Sequence, residues 1–328
     1  MLPINRRALL GTALALPALS DRAQAQGSEW TPSRPMRMIV PFVAGGSTDV
    51  AARMIADRMA EQLGQPIVVE NRGGSGGNLG GEMVARAPAD GHTLLMGTTG
   101  LLTTNAYIYR SMGFDPAKDL APVSMAYTSD MVIVVHPGVR ANTLAEFVAL
   151  AKSKPGEMSY GSSGHGASTH TAAELFKLAA GIDVQHVPYR GSGGAMNDLI
   201  AGNIQMMLVQ IAATTGAIRD GRIRALAATG PQRHALLPDV PTLAEQGLPQ
   251  ATATSWGAVM ATGGTPAPAI ARLSAACQQA TRNPQLIQRM EAAGVDPSGS
   301  TAEELAAYIA AEREKWGRVV REARIHVD

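Results

Sequence analysis

The sequence predicts an α/β protein, built either as two lobes or as one large domain. Short apolar runs alternate with segments of helical spacing along almost the whole chain, the pattern of a mainly parallel sheet in each half. At 328 residues the chain exceeds one typical domain. Two extended runs, Val123 to Val135 and Thr254 to Met260, carry few helix marks and read as strands crossing between the halves.

In chain order, Met38-Ile39-Val40 reads as a buried strand ended by Pro41, which has no N–H for a ladder. Ala44-Gly45-Gly46-Ser47 follows as a loop. Thr48 or Asp49 can cap a helix whose Val50, Met54, Ile55, Met59 and Leu63 share one face. A helix start of this kind, with free N–H groups and a favourable dipole, suits an anion. Ile67 to Val69 is a second strand. The glycine-rich run Asn71 to Gly81 matches neither nucleotide loop, so it reads as a connection before a short helix over 82–87. His92 to Met96 is a strand ending in Gly97-Thr98-Thr99-Gly100. Thr143 with Glu146 forms a capping box for a helix over 144–152. Met158 to Tyr160 leads into the loop from Gly161 to His170, rich in hydroxyls and glycine, before a helix over 172–180. The segment 186–193 reads as a turn feeding a helix over 195–201. Strands over 204–209 and 223–228 flank a helix over 212–220. Thr265-Pro266 starts a helix to Ala280, and Thr301 with Glu304 caps a last one, with Leu305, Tyr308, Ile309, Trp316 and Val319 on one face.

Asn5-Arg6-Arg7, an apolar stretch from Ala8 to Leu19 and Ala23-Gln24-Ala25 have the layout of a secretory signal peptide ending near Gln26. No later stretch is long and apolar enough to span a bilayer. The net charge of +1 and the absence of a basic patch or RNA-binding motif argue against nucleic acid as a partner. The single Cys277 lies at helical spacing from Ile270 and Leu273 and reads as a buried thiol.

Ser162, Ser163, His165, Ser168 and His170 supply the residue types of a serine hydrolase. Gly161-Ser162-Ser163-Gly164 is nevertheless not the G-x-S-x-G elbow. His165 and His170 do not match H-E-x-x-H, and no cysteine or carboxylate cluster accompanies them, so the sequence implies neither a metal nor another cofactor. What remains is hydroxyls, glycine N–H groups and helix starts, which suit binding a carboxylate without chemistry.

The blocks Ile39-Val40-Pro41-Phe42, Gly45-Gly46, Asp49 and Leu63 to Arg72 (LGQPIVVENR) resemble the tripartite tricarboxylate transporter receptors, also called Bug proteins. Asp90-Gly91-His92-Thr93-Leu94-Leu95, His186-Val187-Pro188-Tyr189, Leu237 to Thr242, Ser255-Trp256-Gly257, Gly264-Thr265-Pro266 and Lys315-Trp316 continue the likeness to the C-terminus. The resemblance implies a periplasmic binding protein of the type II kind, with two α/β lobes joined by crossing strands. Residues 27–128 and 255–328 would form one lobe and 129–254 the other. It further implies a monomer that binds a small carboxylate and delivers it to membrane permease subunits. A sensor for a signalling partner, or a serine hydrolase using the Ser162–His170 loop, are the alternatives.

By the same resemblance the first binding loop maps onto Phe42, Ala44, Gly45, Gly46, Ser47, Thr48 and Asp49. The second maps onto Ser162, Ser163, Gly164, His165, Ser168 and Thr169. Thr98, Thr99, Gly191 and Ser192 would add walls or donors. Two departures stand out: Val43-Ala44 replaces the usual Pro-Pro, and Val209, followed by Gln210, stands where the family usually carries an acid. The second departure favours an anion without an amino group. Arg72 and Arg190 are the nearest candidates for a charged clamp.

Overall fold

The computed structural model describes residues 30–326; the predicted signal peptide lies outside them. The elements are β1 (Met36–Val40), α1 (Ser47–Leu63), β2 (Ile67–Asn71), α2 (Asn78–Ala85), β3 (Thr93–Thr98), α3 (Asn105–Ile108) and β4 (Leu120–Val135). They continue as α4 (Leu144–Ser153), β5 (Ser159–Ser162), α5 (Ser168–Ala180), β6 (Gln185–Pro188), α6 (Ser192–Ala201), β7 (Met206–Gln210), α7 (Thr215–Arg219) and β8 (Arg224–Ala228). The last are β9 (Thr254–Thr262), α8 (Ala267–Thr281), α9 (Pro284–Ala292), β10 (Asp296–Pro297) and α10 (Ala302–Glu322).

The strands form one continuous sheet in the order β2-β1-β3-β9-β4-β7-β5-β6, with β8 and β10 also on β4. β1 pairs in parallel with β2 and β3, and β5 in parallel with β6 and β7. The expectation of mainly parallel sheets fails at the centre, where β4, β8 and β9 run antiparallel to their neighbours. β4 and β9 carry the chain between the lobes, so no crossover helix forces them parallel. β4 makes the crossing expected of it. Leu120 to Asp130 pair with β9, and Met131 to Val135 pair with β7 and β8. At the switch Thr229, fully buried, accepts the Met131 N–H at its hydroxyl (3.2 Å) and donates to the Ala253 carbonyl (2.6 Å).

Each lobe has its own core. In the first, Met38, Val40, Ile55, Met59 and Leu94 pack with Cys277, whose thiol is buried as expected and pushed up to about 12 by desolvation. In the second, Ile133, Phe147, Tyr160, Phe176 and Leu208 pack together. α10 serves both. Its Leu305 and Ile309 join a first-lobe cluster with Trp256, while Trp316 and Val319 join the second-lobe core. Between them the buried Glu312 accepts both indole N–H groups, from Trp256 at 3.2 Å and Trp316 at 2.7 Å.

Several local expectations change. α1 is not capped by Thr48 or Asp49: Gly46 is the cap, with no side-chain bond, because the Asp49 carboxylate is engaged by the chain before the helix. The segment at 186 is a strand rather than a turn, since β5 is there to pair with it. α2 begins at Asn78, not 82. α9 was not foreseen, although Asn283-Pro284 is a start signal; the Asn283 side chain accepts from Gln285 and Leu286 N–H. At α4 the Thr143 hydroxyl accepts from Glu146 N–H, but Glu146 reaches past the cap to the Asn142 N–H at 2.6 Å.

Candidate functional site

Where the lobes meet lies a cleft of about 910 Å³. Three helices begin on its wall. Ser47 and Thr48 open α1, Ala167 and Ser168 the start of α5, and Gly191 the start of α6. None of the three has a side-chain cap. The N–H groups of a first turn have no i−4 partner inside their helix; the His170 N–H bonds the Ala167 carbonyl at 2.9 Å, and the others remain available to a ligand. The Ser47 and Ser168 hydroxyls bond no other described residue. Thr48 Oγ1 lies 3.0 Å from the Tyr127 hydroxyl, and burial pushes that phenol up to about 12, so it stays a neutral donor.

The first loop is held from behind. Asp49 is 4% exposed and does not reach the cleft. It accepts the Gly45 N–H at 2.9 Å, Arg53 Nε at 3.1 Å and Asn71 Nδ2 at 2.9 Å. Burial pushes its carboxyl up, but the bonds from Arg53, Gly45 and Asn71 outweigh that and hold it below the usual carboxylate range. Gly45 turns the loop at φ +86°, a conformation that favours glycine. Neither Ala44, Gly45 nor Gly46 lines the cleft; Val43, 78% exposed, stands at its mouth instead.

The second loop divides similarly. Ser163, Gly164, His165 and Ser168 face the cleft. Thr169 is buried and holds the loop, its hydroxyl taking the Ser163 N–H at 2.9 Å and lying 2.8 Å from Ser163 Oγ. Ser162 lies 2.6 Å from His186 Nε2, yet it is fully buried and off the cleft wall, so this serine–histidine pair has no access to a substrate there. His186 packs flat on His170, at 3.8 Å between ring centres. The fold thus brings a third imidazole to His165 and His170, which their spacing in the sequence does not reveal.

Thr98, Thr99 and Gln210 line the cleft, whereas Ser192 does not. Val209 does not either: it is fully buried in the second-lobe core with Val132 and Ile211. Neighbouring residues of a strand face opposite ways, so with Gln210 on the cleft Val209 must turn inward. An acid missing at 209 therefore says nothing about the cleft. The charge of the lining does: among the described residues that line it, Arg190 is the one Arg, Lys, Asp or Glu. Arg190 is exposed at the edge of the cleft. Arg72 lies off it, paired with Glu70 at 3.2 Å. Sequence reasoning missed Gly73, Gly74 and Gly76, read as a connection, and Asn105, Tyr109, Ser129 and Ser255. Asn105 donates to the Gly76 carbonyl at 3.0 Å and so fastens the glycine run to the wall.

A two-lobed α/β fold with a cleft at the crossing strands is the architecture of periplasmic solute-binding receptors. The tripartite tricarboxylate transporter family receptor profile matches residues 51–325, and the chain belongs to that family. Protein BugT of Bordetella pertussis strain Tohama I is 36% identical over 320 residues, covering 97% of this chain and 98% of its own. The structure of Rpa4515 from R. palustris with adipate superposes with a TM-score of 0.80 at 34% identity, covering 90% of this chain and 99% of that one. MatC of Rhodopseudomonas palustris with bound malate gives 0.77 at 31%, covering 88% and 99%. Members of the family are periplasmic solute receptors. No helix of the described residues is long and apolar enough to cross a membrane.

Proposed function

We propose that the chain is exported with removal of its first 26 residues and captures a small carboxylate that needs no amino group, for delivery to the permease subunits of a tripartite transporter. One observation carries this reading: three uncapped helix starts converge on a cleft whose described lining residues include no acid and a single arginine. Backbone N–H groups and the Ser47, Thr48, Ser163 and Ser168 hydroxyls hold the carboxylate, with water bridging where the reach is long. Arg190 adds charge at the mouth. Asp49 and Thr169 shape the two loops without touching the ligand. Adipate and malate, bound by the two relatives, are the first candidates.

The lobes divide at 128/129 and 254/255, with α10 strapped across both. They close as rigid bodies about the Met131–Thr229–Ala253 junction. The monomer is the working unit, and the buried Ser162–His186 pair is structural rather than catalytic. Calorimetry with adipate, malate and their amino-substituted analogues tests the ligand class. The deaminated acids are expected to bind more tightly; a clear preference for the amino acids contradicts the reading.

A further inference from the structure

Beside the cleft a second cavity of about 550 Å³ opens between α5 and the chain that follows α10. His165, His170, His186 and His326 line it with Glu174 and Lys177, and His165 lies on the wall of both cavities. One ring nitrogen of each of His165, His170 and His186 lies within 4.8 Å of the other two. Imidazole is the preferred ligand of zinc, nickel and copper, and it must be neutral to bind them. His170 is buried and His186 half-buried at the cavity wall.

The three rings cannot all ligate one ion as they stand. A metal sits in the plane of each imidazole that binds it, at about 2.0–2.1 Å. The planes of His170 and His186 are nearly parallel, 8° apart, with centres separated by 3.8 Å, so no single point serves both. Hydrogen bonding decides between them. His170 Nδ1 accepts the Gly166 N–H at 3.0 Å, so the neutral ring carries its proton on Nε2 and is a donor, not a ligand. The Ser162 hydroxyl beside His186 Nε2 can donate to the Gly164 carbonyl at 3.2 Å. It then accepts from His186 Nε2–H, leaving Nδ1 bare, the outer-shell arrangement that fixes a metal-binding tautomer. His165 stands at 89° to His186 with ring centres 5.2 Å apart. Two imidazoles on one tetrahedral ion have centres roughly 5 Å apart at normal bond lengths.

We propose that His165 and His186 chelate a divalent first-row transition ion of the zinc, nickel and copper class at the boundary of the two cavities, with His170 stacked against His186 and water in the remaining positions. Such an ion pins the Gly164–Gly166 loop to β6. The site is independent of the carboxylate reading and stands or falls without it.

The test uses the chain purified without an affinity tag, titrated with zinc(II) and with copper(II) by calorimetry and followed by thermal melting. One equivalent is expected to bind and raise the melting temperature, as any ligand of the folded state does. His165→Asn, at an exposed position, is expected to weaken binding by at least about tenfold, the size of losing even an outer-shell partner. His326→Asn is expected to leave it unchanged. The copper(II) complex is expected to show coupling to two imidazole nitrogens in its electron paramagnetic resonance spectrum. Absence of stoichiometric binding, or equal affinity in wild type and His165→Asn, overturns the proposal.

Discussion

Three helices that begin at the cleft, α1, α5 and α6, start differently from three that begin away from it, α4, α9 and α10. α10 opens with a complete capping box: Thr301 Oγ1 accepts the Glu304 N–H at 3.1 Å, and Glu304 returns the bond to the Thr301 N–H at 2.9 Å. α4 and α9 are capped by Thr143 and Asn283. At α1, α5 and α6 the cap positions hold Gly46, Ala167 and Gly191, which have no side-chain oxygen to offer. A side-chain cap stabilises a protein by about 1 kcal/mol by consuming a free N–H. Leaving these three starts without a side-chain cap forgoes that stability and keeps first-turn donors for a ligand, apart from the His170 N–H, which the Ala167 carbonyl takes. A bare start alone does not mark a site, since α2, α7 and α8 are uncapped too; what sets α1, α5 and α6 apart is that their bare starts lie on the cleft wall.

The largest expected effect that sharpens this contrast is on binding. Ser168→Ala removes a hydroxyl with no partner among the described residues. It is expected to weaken carboxylate binding by roughly 1–3 kcal/mol by calorimetry, with the melting temperature of the unliganded protein nearly unchanged. Thr301→Ala is the mirror experiment. Losing the α10 cap is expected to cost about 1 kcal/mol in denaturant unfolding while leaving ligand affinity as it was. A loss of affinity in Thr301→Ala would mean that the capped starts also serve the site.

A smaller effect is expected from acid. Asp49 has its carboxyl held below the usual range in the folded chain, so the unfolded chain takes up the proton first. Its contribution is present above the ordinary value of about 4 and is lost as pH falls through the lower folded value. Asp49→Asn is therefore expected to flatten the decline of stability below about pH 4, seen as parallel melting curves across that window. A decline as steep as in the wild type would place the acid-sensitive group elsewhere.

Much of this was legible in the sequence. The junctions at Gly46, Ser168 and Gly191 follow from a strand, a glycine-rich loop and a helical period, all local properties. So do the crossing strand β4 and the box at Thr301. Side-chain direction was not local. Asp49 reads as a helix-start acid facing a ligand, but Arg53 one turn later and Asn71 from β2 turn it inward. Only pairing with β4 fixes that Gln210 rather than Val209 faces the cleft. Tyr109 and Asn105 come from a segment with no strand-and-loop signature, and the wall they form exists only because the chain folds Gly76 against them. The neighbourhood of His186 and His165 likewise depends on parallel pairing of β5 with β6.

The central claim is that the bare start of α5 is kept for the ligand, and Ala167→Asp tests it most directly. The cap position is extended, at φ −63° and ψ 155°, so an aspartate fits without strain and can take up the first-turn N–H groups. Its negative charge would also complement the helix dipole. The account predicts opposite changes in one variant: thermal stability without ligand rises by about 1 kcal/mol, while affinity for adipate or malate falls at least about tenfold, or 1.4 kcal/mol. An Ala167→Asp protein that is more stable yet binds the carboxylate as tightly as the wild type would contradict it.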